Sequence, residues 1–358
     1  MRILITGGAG FVGSRLAMLF RDENQRTEIV TFDNLKRRGA ELNLPAFAAR
    51  NIGFVHGDVR SQNDLDNLPG ESFDLVIDAA AEPSVHAGTS GSPSYVLETN
   101  LLGTLNLLET VRKRGGCGAF LFLSTSRVYS IAPLRGIALT EAATRFEIGE
   151  VQTVAGVTQA GINETFPTDS ARSLYGASKL ASELMVQEYA DTYKIPTVIN
   201  RCGVIAGPGQ FGKVDQGVFT LWVANHYFNK GLRYTGFGGQ GKQVRDLLHP
   251  DDLFALLRAQ TAQINDVSGQ VFNAGGGRHV SVSLAELTTL CRTATGNDVA
   301  IGTDPTTAAV DIPLYLSNSA RAAETFGWTP KKDATIIVGE IAEWLKHNET
   351  ALRPLFAG

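Results

Sequence analysis

Three cysteines (Cys117, Cys202, Cys291) are all that 358 residues contain, and they lie far apart. An odd, scattered set excludes a disulfide framework, matches no zinc-ligand spacing and suits a reducing compartment. Charge of one sign is equally scarce. The formal net charge is −4, and no basic block is longer than Lys36-Arg37-Arg38, so the positive footprint that nucleic acid or an anionic membrane requires is missing. Long apolar runs are absent too. No window approaches the roughly 20 apolar residues of a membrane span, and the apolar start is cut by Gly7, Gly8 and Gly10 before it reaches the length of a signal sequence. The expectation is a cytoplasmic protein that binds neither nucleic acid nor membrane, with no metal centre. What is present is ordinary globular composition, 43% hydrophobic and 19% charged, in a chain long enough for two lobes.

Short apolar runs alternate with helical patterns from the first residue. Ile3–Thr6, Glu28–Phe32, Phe54–Val55, Leu75–Ile77, Phe120–Leu123 and Thr197–Ile199 read as strands. Residues 11–20, 93–114, 173–193, 217–229, 251–264, 283–295 and 334–348 read as helices. Strands without polar alternation are those buried on both faces, so the pattern predicts an α/β fold: a Rossmann-type doubly wound parallel sheet with a smaller C-terminal substrate-binding lobe. Residues 1–200 are expected to form the dinucleotide-binding domain, carrying an insert at 130–172 and rejoined by 232–275; residues 201–231 and 276–358 are expected to form the second lobe. The insert has little periodicity, and unstructured connections of that length are often functional.

Gly8-x-Gly10-x-x-Gly13 directly follows the first strand and opens a helix. In that context glycines permit a tight turn, let the backbone approach a pyrophosphate and allow close helix–strand packing. The N–H groups at the helix start then face the phosphates. Asp33 ends the next strand, where a carboxylate can bind the adenosine ribose and repel a 2′-phosphate, so NAD is favoured over NADP. Tyr175 and Lys179 stand at i, i+4 on one helical face. A phenol is a poor base at neutral pH, but an adjacent ammonium stabilises the phenolate and suits it to take a proton from a hydroxyl. Ser124-Thr125-Ser126 ends the preceding strand and offers a hydroxyl to the reacting oxygen.

These segments together resemble the extended short-chain dehydrogenase/reductase superfamily, specifically its NAD-dependent nucleotide-sugar epimerases and dehydratases. The resemblance rests on TGGAGFVG (Thr6–Gly13), FDNL (Phe32–Leu35), GDVR (Gly57–Arg60), TNLLGTLNLLE (Thr99–Glu109), YGASK (Tyr175–Lys179) and RDLLHPDDL (Arg245–Leu253), in the family's order. It implies Thr125, Tyr175 and Lys179 as catalytic residues. Around NAD it implies Gly7, Gly10, Phe11, Val12, Gly13, Asp33, Asn34, Asp58, Val59, Ala79, Ala80, Ala81 and Asn100, together with Tyr175 and Lys179. For the nucleotide-diphosphate sugar it implies Arg201, Asp215, Gln216 and Arg245. It also implies a homodimer or homotetramer.

Ser126 and Arg127 follow Thr125, where family dehydratases carry an Asp-Glu pair and sugar-acid decarboxylases usually carry Glu at the second place. Oxidation and re-reduction at one carbon remains, with NAD regenerated in each turnover. The long insert, the stretch Asp33–Leu44 and the stretch Gln210–Gly217 resemble the branch of CDP-paratose 2-epimerases, also called CDP-tyvelose epimerases. A UDP-sugar 4-epimerase, a dehydratase or decarboxylase, a net dehydrogenase and a non-catalytic NAD-binding regulator stay open as alternatives. The sequence also departs from the family: Val204 and Ala308 replace usual diphosphate ligands, Asp78 and Glu82 flank the alanine turn, and Lys213 or Lys242 are candidates to take over the diphosphate.

Overall fold

The computed structural model describes residues 1–88, 91–212 and 217–356. The chain divides into two compact units. The first comprises Met1–Val128, Ser173–Arg201 and Leu253–Phe272; the second comprises Tyr129–Arg172, Cys202–Asp252 and Asn273–Gly358.

A seven-stranded sheet organises the first unit. Its strands are β1 (Arg2–Thr6), β2 (Glu28–Asp33), β3 (Gly53–His56), β4 (Phe73–Asp78), β5 (Cys117–Thr125), β6 (Thr197–Cys202) and β7 (Gln270–Ala274). They lie in the order β7-β6-β5-β4-β1-β2-β3. The pairings of β1 with β2 and β4, of β2 with β3 and of β4 with β5 are parallel. The chain runs outward from β1 to β3, then returns to the other side of β1, and that reversal opens a crevice at the strands' C-terminal ends where ligands bind in such sheets. Helices flank the sheet: α1 (Phe11–Glu23), α2 (Gly103–Lys113) and α3 (Leu174–Tyr193). Leu4, Val30, Val76, Phe120 and Phe122 pack with Leu107, Leu108 and Val111 into one core. Truncating a phenylalanine in such a core costs about 3–5 kcal/mol.

The helical pattern across 93–114 is not one regular helix. It consists of Ser94–Leu97, a π-helical turn at Glu98–Leu102 and then α2. A π turn adds a residue to the coil and rotates the side chains beyond it, and here it buries Thr99 and Asn100.

In the second unit a small sheet joins Val204–Ile205, Val244–Leu248, Ser281–Ser283 and Leu314–Tyr315. Helices Val218–Tyr227, Leu284–Thr295 and Ala334–His347 enclose Phe219, Trp222, Leu287, Ile337 and Ile341. The insert belongs to this unit and is ordered: a helix at Ile131–Arg135 and hairpins Leu139–Glu141/Phe146–Ile148 and Val157–Thr158/Gly161–Ile162. Polar contacts tie it down. Arg135 donates to the carbonyls of Ala308 (2.8 Å) and Asp311 (2.9 Å), Lys242 pairs with Glu141 at 2.7 Å, and Arg145 reaches Glu286 at 3.2 Å.

Candidate functional site

Where β1 meets α1, the glycines make a cradle that a side chain would fill. Gly7 has φ +61°, and a Cβ there would lie 2.7 Å from the Ala79 carbonyl. A Cβ on Gly13 would lie 2.3 Å from the Gly7 carbonyl. Gly10 caps α1 with no side-chain hydrogen bond, so the first N–H groups of a 13-residue helix are met by no capping side chain. Close backbone approach with inward-pointing donors and a positive helix end fits a pyrophosphate.

Asp33 closes β2 beside this cradle. Its Oδ2 accepts from the Ala9 N–H at 3.1 Å and its Oδ1 from the Leu35 N–H at 2.8 Å. Burial pushes the Asp33 carboxyl above its ordinary value, against those backbone donors, which lower it. Next to it, Asn34 Nδ2 donates to Asp58 Oδ2 at 3.0 Å, and Arg60 grips the same carboxylate through Nε (3.0 Å) and Nη2 (2.8 Å). That bidentate guanidinium holds Asp58 down at about 2. Arg60 lies 4.9 Å over the Tyr95 ring and Lys36 lies 3.3 Å over it, so the loops after β2 and β3 are tied to the helix at Ser94–Leu97. Val59 is buried and packs in the core under this loop.

The alanine turn is pinned from two sides. Asp78 is 2% exposed and accepts from Thr6 Oγ1 at 2.7 Å and Thr104 Oγ1 at 2.8 Å; Thr6 Oγ1 in turn accepts from the Ala80 N–H at 3.2 Å. Asn100, fully buried, accepts from the Glu82 N–H (2.8 Å) and donates to the Glu82 carbonyl (3.1 Å) and to Ser178 Oγ (3.0 Å). Its amide thus links the turn after β4 to α3.

Two elements bring the three catalytic candidates together. Thr125 ends β5, and Tyr175 and Lys179 lie in the first turns of α3, which packs on β5 and on the turn Ser126–Val128. Ser173 caps α3 by accepting from the Gly176 N–H at 3.1 Å. The Arg127 N–H donates to Thr125 Oγ1 at 3.2 Å, which leaves that hydroxyl's own proton for another acceptor. Lys179 is 1% exposed, its Nζ 4.0 Å from the centroid of the Phe122 ring. A buried ammonium one helical turn beyond a phenol is the arrangement that stabilises phenolate.

Residues 3–275 match the model of the NAD dependent epimerase/dehydratase family. The chain belongs to that family. Among its relatives, CDP-paratose 2-epimerase of Salmonella typhi is 31% identical, the match covering 96% of this chain and 99% of that one. A dTDP-glucose 4,6-dehydratase of Streptomyces antibioticus is 29% identical over 99% of this chain and 95% of its own. Among solved structures, a dTDP-glucose 4,6-dehydratase double mutant of Streptomyces venezuelae with NAD and DAU bound superposes with a TM-score of 0.77, at 26% identity, covering 99% of this chain and 100% of that one. The chain is therefore an enzyme of the NAD-dependent epimerase/dehydratase group, on that group's doubly wound fold.

Of the substrate positions that the resemblance implies, Arg201 and Arg245 are among the described residues. Arg201 is turned to a protein partner: its guanidinium binds the Glu183 carboxylate, Nη2 to Oε2 at 2.8 Å and Nε to both oxygens at 3.1 Å. In the second unit, Arg245 spends Nη1 on the Val244 carbonyl (2.8 Å) and Nη2 on that of Ile312 (2.7 Å). Asp215, Gln216 and Lys213 lie outside the described residues. Sequence reasoning passed over Glu183 and Thr104, and read Ser124 only as one of the hydroxyls at the strand end; the available signal for Glu183 was its place four residues beyond Lys179 on the same helical face. Among the described residues, no group of three or more His, Cys, Asp or Glu could hold a metal ion, and no helix is long and apolar enough to cross a membrane.

Proposed function

We propose that this enzyme inverts one carbon of a nucleotide-diphosphate sugar without net oxidation, in the manner of a CDP-paratose 2-epimerase. NAD, when bound, supplies the acceptor for the sugar carbon's hydride and then its donor. The first unit holds it: Gly7, Gly10, Phe11, Val12 and Gly13 at the pyrophosphate, Asp33, Asn34, Asp58 and Val59 at the adenosine, and Ala79, Ala80 and Ala81 along the turn that Asn100 pins. Tyr175 takes the proton of the reacting hydroxyl. Thr125 donates a hydrogen bond to the same oxygen, and the Lys179 ammonium keeps Tyr175 competent as a base. Tyr175 later returns its proton to the inverted alcohol. Arg245, Asp215 and Gln216 are assigned to the sugar nucleotide, in the second unit; Arg201 serves from behind the site.

The observation that carries this reading is the pair after Thr125. Removing water from a neighbouring carbon needs a proton donor and acceptor there, and Ser126 and Arg127 supply a hydroxyl and a guanidinium instead of carboxyls. The 31% identical 2-epimerase relative supports the same branch. We further propose a cytoplasmic homodimer or homotetramer, built on the helices around 93–114 and 173–193, where Leu97, Leu102 and Leu184 are exposed. Light scattering of the purified protein tests it; a monomer at micromolar concentration contradicts it.

The reaction is tested by incubating the enzyme with CDP-, UDP-, GDP- and dTDP-sugars while following nicotinamide absorbance and product mass. We expect conversion of a CDP-sugar to an isomer of equal mass, with no reduced cofactor accumulating. Loss of one water would make the enzyme a dehydratase, accumulating NADH a net dehydrogenase, and inversion only at the 4-position of a UDP-sugar a 4-epimerase.

A further inference from the structure

Behind the catalytic residues lies an ion pair that the reaction does not use directly. Glu183 and Arg201 are 2% and 8% exposed. Glu183 Oε1 accepts from Ser124 Oγ at 2.5 Å, and both its oxygens accept from the Arg201 guanidinium. One carboxylate thereby joins three elements: β5 at the residue before Thr125, α3 on the face of Tyr175 and Lys179, and β6. Glu183 follows Lys179 by one turn and Tyr175 by two, about 12 Å of axial rise. Removing one member of such a buried pair leaves an uncompensated charge in the core.

We propose that Glu183, held by Arg201, is a positioning residue that sets the orientation of α3 on β5 and cancels the Arg201 charge beneath the Tyr175–Lys179 pair. This inference rests on Tyr175 being the base. Its two parts are separable. The Ser124–Glu183 hydrogen bond sets geometry, since it clamps the strand end carrying Thr125 to the helix carrying Tyr175. The Glu183–Arg201 pairing sets the electric field, since a guanidinium without its carboxylate would favour phenolate. Other charged groups on the elements packed against α3 have partners of their own. Glu98 pairs with Arg60, Glu109 with Arg112 and with Tyr189, and Lys113 with Asp66. Tyr95 lies beneath Lys36 and Arg60, and Tyr189 is about 20 Å along the helix from Tyr175. Arg127, whose N–H donates to Thr125 Oγ1, is unchanged by the variants below.

The test is the pH dependence of kcat in the holoenzyme, with Tyr175→Phe as control. In Glu183→Gln, the Arg201 charge is uncompensated, and the acid limb moves to lower pH. In Glu183→Gln/Arg201→Gln, which removes both charges of the pair, the limb returns to the wild-type position. Ser124→Ala keeps the ion pair, so kcat falls about tenfold or more with KM and the limb unmoved, as expected for lost alignment. A purely structural role would lower thermal stability and leave the limb in place in every variant. An unmoved limb in Glu183→Gln, or a displaced one in the double variant, overturns the electrostatic part; an undiminished kcat in Ser124→Ala overturns the geometric part. Should Glu183→Gln fail to fold, Arg201→Gln carries the same test with opposite sign, its unpaired carboxylate moving the limb upward. If Tyr175→Phe turns over normally, the proposed reaction itself fails.

Discussion

Tyr175 is the base in the proposed reaction, and the side chains around it bear on that role. It sits in the first turn of α3, 9% exposed, with a buried lysine one turn further on. Tyr175→Phe removes one hydroxyl and keeps the ring's packing. We expect kcat to fall by about 10²–10⁴, the usual worth of a general base, while the NAD content of the purified protein is unchanged when read after denaturation. Thr125→Val tests the second hydroxyl; loss of one preorganised donor predicts a drop in kcat on the order of 10² with substrate affinity little altered, measured in the same assay. The pairing of Tyr175 with Lys179 and the hydroxyl cluster Ser124–Ser126 were legible in the sequence because helical spacing and a strand end are local patterns; Thr125 was singled out within that cluster by the family resemblance. Glu183 with Arg201, and Asp78 with Thr6 and Thr104, were not. Those contacts join residues on different elements, and no local spacing encodes which strand lies beside which helix.

The glycine turn shows the same distinction between elements. Gly10 and Gly13 were readable because the motif lies between a strand and a helix, with Gly7 added by the family resemblance, and the structure adds the reason: a Cβ at Gly13 would lie 2.3 Å from a backbone oxygen that cannot yield. Gly13→Ala is expected to destabilise the protein by about 1–3 kcal/mol through overpacking and to abolish NAD retention. Thermal unfolding with and without added NAD measures both, and added cofactor should no longer raise the midpoint. The run at 93–114 was less legible. Its apolar spacing averages over a π turn that shifts register by one residue, so the burial of Asn100 could not be read from periodicity. The insert at 130–172 was opaque because strands of two or three residues carry no periodic signal.

The loop after β3 adds a pH dependence. Arg60 depresses the Asp58 carboxyl from 3.8 to about 2. A depressed carboxylate contributes stability that is fully present above its unfolded value and is lost as pH falls through the folded one, here between about pH 4 and pH 2. Unfolding followed across that window should show wild type losing its advantage over Arg60→Ala as the pH drops. A constant difference between the two would mean that the pair adds nothing to stability.

Over the whole chain, six of the seven strands of the doubly wound sheet were readable, because buried parallel strands are continuous apolar runs; β7 (Gln270–Ala274) and the short strands of the second unit were not. Which sugar enters was not readable: Asp215 and Gln216 lie outside the described residues, and Arg245 is engaged by main-chain carbonyls. The proposed reaction nonetheless turns on one hydrogen atom. If oxidation and re-reduction occur at the same carbon inside one active site, the hydrogen lifted from that carbon is the one put back. The direct measurement is turnover of the accepted nucleotide sugar in deuterated water, read by NMR at the inverted carbon. Return of the same hydride keeps protium at this carbon through many turnovers. Deuterium appearing there in step with inversion would mean proton exchange through an enol, and would contradict it.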